Sequence, residues 1–326
     1  MLGVYAVFGF YILSGYLMTL IMQTSYGYTA AGFYRYAVNR FLRIYPAYWV
    51  SIFVSAVLIW ILGNDFTSAY HPSMYFPEDV YALAKNLSLF FPRGSFSRLT
   101  PPAWALTVEI FFYILIGLGI SKSKRITLLW FLCSGIYHVV AVTLELEWSA
   151  RYYSVSAASL PFATGALLFH YGPKFERYKN QLKGNFYQCL PYILVVFMLT
   201  NWLLGYILSR SGGFFFYSNY VLCAVIVAVL SDRKQLPYIS QTTDRWWGEF
   251  SYPIYLLHYQ VGLVVIVSLA AAGFDLNRPS LTLMFVSVPA ILAFSWVVIV
   301  ILSKPIESLR AKVKNQRFGS GSIQRP

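Results

Sequence analysis

The chain has 326 residues, 58% of them hydrophobic and 19% aromatic, and only 11% are charged. Soluble domains carry about 25% charged residues, so this chain cannot cover a water-facing surface, and an ordinary soluble enzyme is excluded. The composition reads as an all-α, polytopic transmembrane helix bundle, and the net charge of +13 has to be explained within it.

In chain order, apolar runs long enough to span a bilayer fall at about 3–23, 46–62, 103–120, 127–144, 153–170, 189–208, 214–231, 251–272 and 281–303. That predicts nine spanning helices in one membrane domain, residues 1–310, followed by a polar cytoplasmic tail, 311–326. The opening MLGVYAVFGFYILSGYLMTLIM lacks a basic leader and reads as a mature helix. Pro46, Pro101, Pro102 and Pro253 are expected in first turns, where a missing N–H matters little. Between the second and third spans, YALAKNLSLFF is expected as a short interfacial helix. The tail FGSGSIQRP reads as disordered. Cys133, Cys189 and Cys223 all sit in apolar runs, without metal or disulfide spacing, and read as buried packing residues.

Basic residues then set the orientation. With the N-terminus outside and the C-terminus cytoplasmic, 19 of the 25 Lys and Arg residues fall on the inner side. They anchor the membrane protein and leave no reason to invoke nucleic acid.

Four polar features stand out. Arg40 and Arg43, in NRFLRIYP, are three residues apart and share one helix face, with Arg35 just before. Guanidinium forks suit phosphate groups, so they are either a clamp for a phosphorylated donor or ordinary anchors. Glu109, in TPPAWALTVEIFFYILIG, lies about two turns into the third span, roughly 10 Å below the outer surface. A charge at that depth costs roughly 2.5–3.5 kcal/mol on insertion scales, which marks either function or a bond to a neighbouring helix. In EFSYPIYLLHYQ, the residues Tyr252, Tyr255, His258 and Tyr259 form one stripe, and His258 is a candidate general base, substrate ligand or packed ring. His71, His138 and His170 lack such company. Ser14 and Gly15 read as small packing residues. No phosphate-binding glycine loop, paired-histidine motif or acidic cluster is present, which points away from ATP-driven or metal-dependent chemistry.

The segments FGFYILSGYLMT, NRFLRIYPAYW, PAWALTVEIFFYIL, EFSYPIYLLHYQV and SKPIESLR, in this order, resemble the integral membrane acyltransferase family 3 from about Val4 to Arg310. The resemblance implies an O-acyltransferase. It would move an acetyl- or succinyl-like group from cytoplasmic acyl-CoA to a hydroxyl of a surface polysaccharide or lipid-linked sugar. It would do so in a bacterial inner membrane, among membrane lipid and without a metal. It assigns donor phosphates to Arg40 and Arg43, with Arg35 nearby. It gives catalytic roles to Glu109 and His258, and substrate contacts to Trp104, Tyr252 and Tyr255. The family pattern has ten helices, with a basic residue and a catalytic histidine on the first. This chain begins at what corresponds to the second, so Met1 is expected to be an internal start and the chain alone to have little activity. A transporter or flippase for a lipid-linked sugar, and an inactive assembly partner, are the competing readings.

Overall fold

The computed structural model describes residues 2–91, 97–181, 185–208, 213–231, 233, 235–274 and 281–315. These form eleven helices: α1 (Leu2–Ile21), α2 (Ala30–Leu62), α3 (Asn64–Tyr70), α4 (Val80–Ser88), α5 (Ala103–Leu118), α6 (Lys124–Thr143), α7 (Val155–Gln181), α8 (Asn185–Ile207), α9 (Phe214–Leu230), α10 (Gln241–Ala271) and α11 (Leu281–Asn315). Among the described residues six helices are long and apolar enough to cross a membrane, and α5 and α9 are shorter apolar helices. The ninth expected span falls in α7. Its AASLPFATGA segment is built from small residues that are nearly all buried, so close packing there takes the place of high hydropathy.

Two expectations about helix starts are corrected. Pro46 and Pro253 lie inside α2 and α10, not in first turns. The helices run on upstream through amphipathic, charge-bearing turns that a hydropathy window ends too early. Pro101 and Pro102 do immediately precede α5. At the other end α11 continues to Asn315, past residue 310. The tail segment FGSGSIQRP lies outside the described residues, as do Arg93, Lys183, Arg210, Lys234, Arg278, Arg317 and Arg325.

The chain gathers into two compact units, Met1–Ala37 with Val108–Asp244, and Val38–Thr107 with Arg245–Pro326. In the first, α1 packs tightly on α7. A Cβ added at Gly15 would sit 2.2 Å from the Phe162 carbonyl oxygen, and one at Gly165 would sit 1.9 Å from that of Ile12. Only glycine permits that backbone approach. Phe8 stacks on Tyr152 at 5.4 Å and meets Phe216 edge-on at 5.0 Å, while Tyr11 stacks on Phe162 at 4.9 Å. Gln23 donates to the Lys122 carbonyl (2.8 Å), and His170 Nε2 lies 2.8 Å from that of Ser121, which ties the loop before α6 to α1 and α7. Of the cysteines only Cys223 is buried; Cys133 is exposed and Cys189 half-exposed. An apolar side chain on the outward face of a membrane helix has lipid as its partner, so apolar context did not imply burial.

In the second unit, α4 is the organising piece. Tyr48, Trp49 and Tyr45 of α2 donate to the carbonyls of Asn86 (2.6 Å), Leu87 (3.1 Å) and Ser88 (2.9 Å). Phe90 N–H donates to the Lys85 carbonyl at 3.1 Å. All four C-terminal carbonyls of α4 that a helix cannot satisfy itself therefore have donors. The buried Asn86 side chain donates to Ala82 O (3.0 Å) and Ser97 O (2.9 Å) and accepts from Leu99 N–H (2.9 Å). The expected short helix is present, and its two faces are clear. Lys85 and Asn86 are buried, while Val80, Tyr81, Leu87 and Phe90 are exposed. Tyr48 is fourteen residues short of Leu62, about 21 Å along α2, so the segment after α3 folds back along the helix. Ser51 and Thr100 share a hydroxyl bond at 2.8 Å. Gln260 and Ser55 join α10 to α2 at 2.9 Å.

Candidate functional site

In the first unit, Glu109 is half-buried on α5, and its partners are now visible. Ser14 Oγ donates to Glu109 Oε1 at 2.7 Å, and the buried Tyr113, one turn further along α5, donates its hydroxyl to the same oxygen. The two hydroxyls are 3.5 Å apart. Oε2 takes no hydrogen bond among the described residues. The arrangement fixes a carboxylate by one oxygen and presents the other. Arg35, also in this unit, donates Nε back to Ala31 O at 3.4 Å. It is five positions before Arg40, about 140° around the helix, so it does not share that residue's face. His138 has both nitrogens engaged, Nδ1 with Tyr217 Oη (3.1 Å) and Nε2 with Ala157 O (2.8 Å), and is structural.

In the second unit, Arg40 donates Nη2 to Asn39 Oδ1 at 3.1 Å. Its Nε is buried without an acceptor. Arg43, one turn on, is exposed. Tyr252 and Tyr255 donate to the carbonyls of Ile44 (2.8 Å) and Pro102 (2.7 Å), so α10 is strapped to α2 and to the entry of α5. Trp104 is half-buried in the first turn of α5.

His258 Nδ1 lies 2.8 Å from the Tyr255 carbonyl. A carbonyl only accepts, so Nδ1 carries the hydrogen and Nε2 of the neutral ring presents a lone pair. His258 is exposed on α10. The ring of Tyr259 lies 4.5 Å from that of His258 and 4.9 Å from that of His71. His71 has the opposite tautomer, because Ser73 N–H donates to its Nδ1 at 3.3 Å and leaves the hydrogen on Nε2. Burial lowers the His71 pKa, and the charges of Arg98 and His258 lower it further, so His71 is neutral near pH 7. The second unit thus holds one imidazole poised to accept a proton and another poised to donate a hydrogen bond. Sequence reading gave His71 little weight, because its nearness to His258 depends on the fold-back of the segment after α3. Ser14 was read as packing only. Tyr113, at i+4 from Glu109, had a legible signal in that spacing. Among the described residues no group of three His, Cys, Asp or Glu side chains gathers to hold a metal ion.

A family model described as an acyltransferase domain matches residues 1–301. Among curated proteins the chain is similar to the putative peptidoglycan O-acetyltransferase YrhL of Bacillus subtilis (strain 168), with 26% identity over 273 residues, covering 77% of this chain and 43% of YrhL. It is 24% identical over 332 residues to nodulation protein 10 of Rhizobium leguminosarum bv. viciae, covering 95% and 83%. It is 23% identical over 301 residues to the peptidoglycan O-acetyltransferase OatA of Listeria monocytogenes, covering 83% and 46%. The chain spans less than half the length of the two peptidoglycan O-acetyltransferases. No solved structure matches it. With the family model running over nearly all of its spanning helices, the chain belongs to the integral membrane acyltransferase family 3.

Proposed function

We propose that the chain is the membrane part of an O-acyltransferase acting on a hydroxyl of a cell-surface polysaccharide or lipid-linked sugar, with acyl-CoA as donor. Two of its relatives are named as peptidoglycan O-acetyltransferases, which supports the acceptor class. The observation that carries the reading is the tautomer of His258, held by the Tyr255 carbonyl with Nε2 free to accept a proton.

In this reading His258 Nε2 takes the proton of the acceptor hydroxyl as its oxygen attacks the thioester carbonyl. The new C–O bond forms, the C–S bond breaks and the CoA thiolate leaves with the bonding pair. The proton on His258 then passes to the thiolate. A positioned base contributes typically about 10²–10⁴-fold in such a step. His71, with its hydrogen on Nε2, suits a hydrogen bond to the acceptor or to the carbonyl oxygen. Arg40 and Arg43 hold donor phosphates. Glu109 Oε2 offers a hydrogen-bond acceptor for a hydroxyl. The positive-inside pattern supports a bacterial inner membrane with Arg40 and Arg43 on the cytoplasmic side.

Membranes from cells making the native protein, given acetyl-labelled acetyl-CoA, should build alkali-labile label into their polysaccharide. His258→Ala should lose at least about 100-fold of that label. Equal labelling by the variant would remove His258 from the mechanism. Export of a lipid-linked sugar that needs no thioester, and that survives replacement of both Arg40 and Arg43 by Ala, would favour the transporter reading instead.

A further inference from the structure

We infer that Arg151 anchors a binding subsite for an acidic sugar at one end of the first unit; that this sugar is the acceptor of acyl transfer rests on the function proposed above. Arg151 lies in a π-helical turn, Ser149–Tyr153, between α6 and α7, at the end that the basic-residue pattern puts outside. The turn is fixed. Tyr137 and Ser154 donate to the Ala150 carbonyl at 2.9 Å and 2.7 Å, and the Arg151 N–H donates to that of Glu147 at 3.2 Å. The neck of the side chain is packed, with Nε buried, and among the described residues its guanidinium has no acceptor. The acids beside it do not neutralise it. Neither Glu145 nor Glu147 forms an ion pair with Arg151, and Glu147 Oε2 instead accepts from Ser149 Oγ at 3.2 Å.

The surroundings suit a sugar. Trp148 lies parallel to Tyr152 at 5.5 Å, and Tyr152 stacks on Phe8 at 5.4 Å. Phe8 and Tyr152 are buried, whereas Trp148 is partly exposed. An interfacial girdle turns its rings out to lipid; these rings form a column rooted in the core and ending on Trp148. The negative face of such a ring attracts the polarised C–H bonds of a sugar. Tyr217 supplies a second kind of contact. His138 Nε2 lies against the Ala157 carbonyl, so Nε2 carries the hydrogen and Nδ1 accepts from the Tyr217 hydroxyl. Tyr217 is near enough to feel the Arg151 charge, and its oxygen, with its hydrogen committed to His138, keeps lone pairs for a sugar hydroxyl. A half-buried guanidinium without a partner is unfavourable until an anion arrives, and its planar fork matches a carboxylate. A ring face, a hydroxyl acceptor and an uncancelled cation complement an acidic sugar. A lipid phosphate would use the cation alone.

Two probes of equal length test this. One is a tetrasaccharide of alternating glucuronic acid and N-acetylglucosamine; the other is chitotetraose, which has no charge. Ligand-observed NMR would follow their binding to the full chain in lipid nanodiscs, with thermal unfolding recorded in parallel. Wild type should prefer the acidic probe by about 10- to 100-fold. Arg151→Gln should abolish that preference and leave chitotetraose binding unchanged. Arg151→Lys, which keeps the charge without the fork, should fall between. Trp148→Ala should weaken both probes alike. Lys124→Gln, at the other end of α6, should bind as wild type. Equal binding of the two probes by wild type, or binding of neither, would overturn the site. Acidic-probe binding unchanged in Arg151→Gln, with earlier unfolding, would also overturn it and make Arg151 a lipid-headgroup anchor. Acetyl transfer in membranes without Arg151-dependent preference would overturn the site and spare the acyltransferase reading. Preference that Arg151 controls, without any acetyl transfer, would sustain the sugar site and overturn that reading.

Discussion

Removing the hydroxyls that hold Glu109 tests whether its charge serves chemistry or packing. Ser14→Ala and Tyr113→Phe each delete one donor to Oε1 and leave the carbon frame in place. A hydrogen bond to an ionised group contributes about 1.5–3 kcal/mol, and about 1.4 kcal/mol is a factor of ten in rate. Full expression in the transition state would give about a 10- to 100-fold loss. Each single variant should show less, because the two hydroxyls lie 3.5 Å apart and the survivor can recentre on the carboxylate. The double variant should lose more than the product of the single losses, since it leaves a carboxylate without donors in apolar surroundings. Thioester-dependent ester formation in membranes measures the rate, and tryptophan fluorescence on heating reports stability separately. Glu109→Gln keeps the shape and an acceptor oxygen but removes the charge. Wild-type rates in Glu109→Gln and in the double variant would refute the argument and make Glu109 a helix tie.

Other outcomes follow from the same contacts. Gly165→Ala should destabilise by upwards of about 3 kcal/mol, because the new methyl meets the Ile12 carbonyl, and loss of folded protein in detergent chromatography checks it. Asn86→Leu strands the buried Leu99 N–H and Ser97 carbonyl, each costing about 1–3 kcal/mol, and should lower the unfolding temperature by several degrees. The His71 pKa is lowered in the fold, so the unfolded chain binds more protons. Stability should be fully present above about pH 6.5 and decline as pH falls toward the folded value. His71→Gln should flatten that decline, and a pH series of unfolding temperatures decides it.

Much of the architecture was legible because lipid demands a simple code. Apolar runs located every principal helix, and Gly15 was rightly read as a point of close approach. What escaped were features set by tertiary context. Hydropathy could not carry α2 upstream past Pro46, since Arg35, Arg40 and Arg43 lower the window average in a helix that is continuous. Nor could it show that Asn86 of α4 turns inward, where the Ser97 carbonyl and the Leu99 N–H engage its amide. Arg310 was one of many C-terminal cations until α11 brought it onto Asn39, 271 residues away.

A chain with this few charged groups leaves few of them unexplained, and the pattern of what is satisfied ranks the candidates. His138 has both ring nitrogens engaged, and Asn86 has both amide atoms engaged; these residues have finished their structural task. Asn219, Thr19, Trp202 and Ser295 keep buried atoms without partners, but they are neutral, and leaving them so costs about 1–3 kcal/mol each. Arg233 has an unpartnered Nε too, yet its other nitrogens donate to the carbonyls of Tyr187 and Gln188 and its guanidinium stacks 4.4 Å from the Tyr187 ring. Glu109, His258 and Arg40 differ from all of these. Each is ionisable, each is fixed by one atom through a named partner, and each presents another atom with nothing on it. Such a group, oriented on one side and open on the other, is where substitution separates a role in the proposed transfer from a role in packing, and His258→Ala, Glu109→Gln and Arg40→Ala are the three variants that do so.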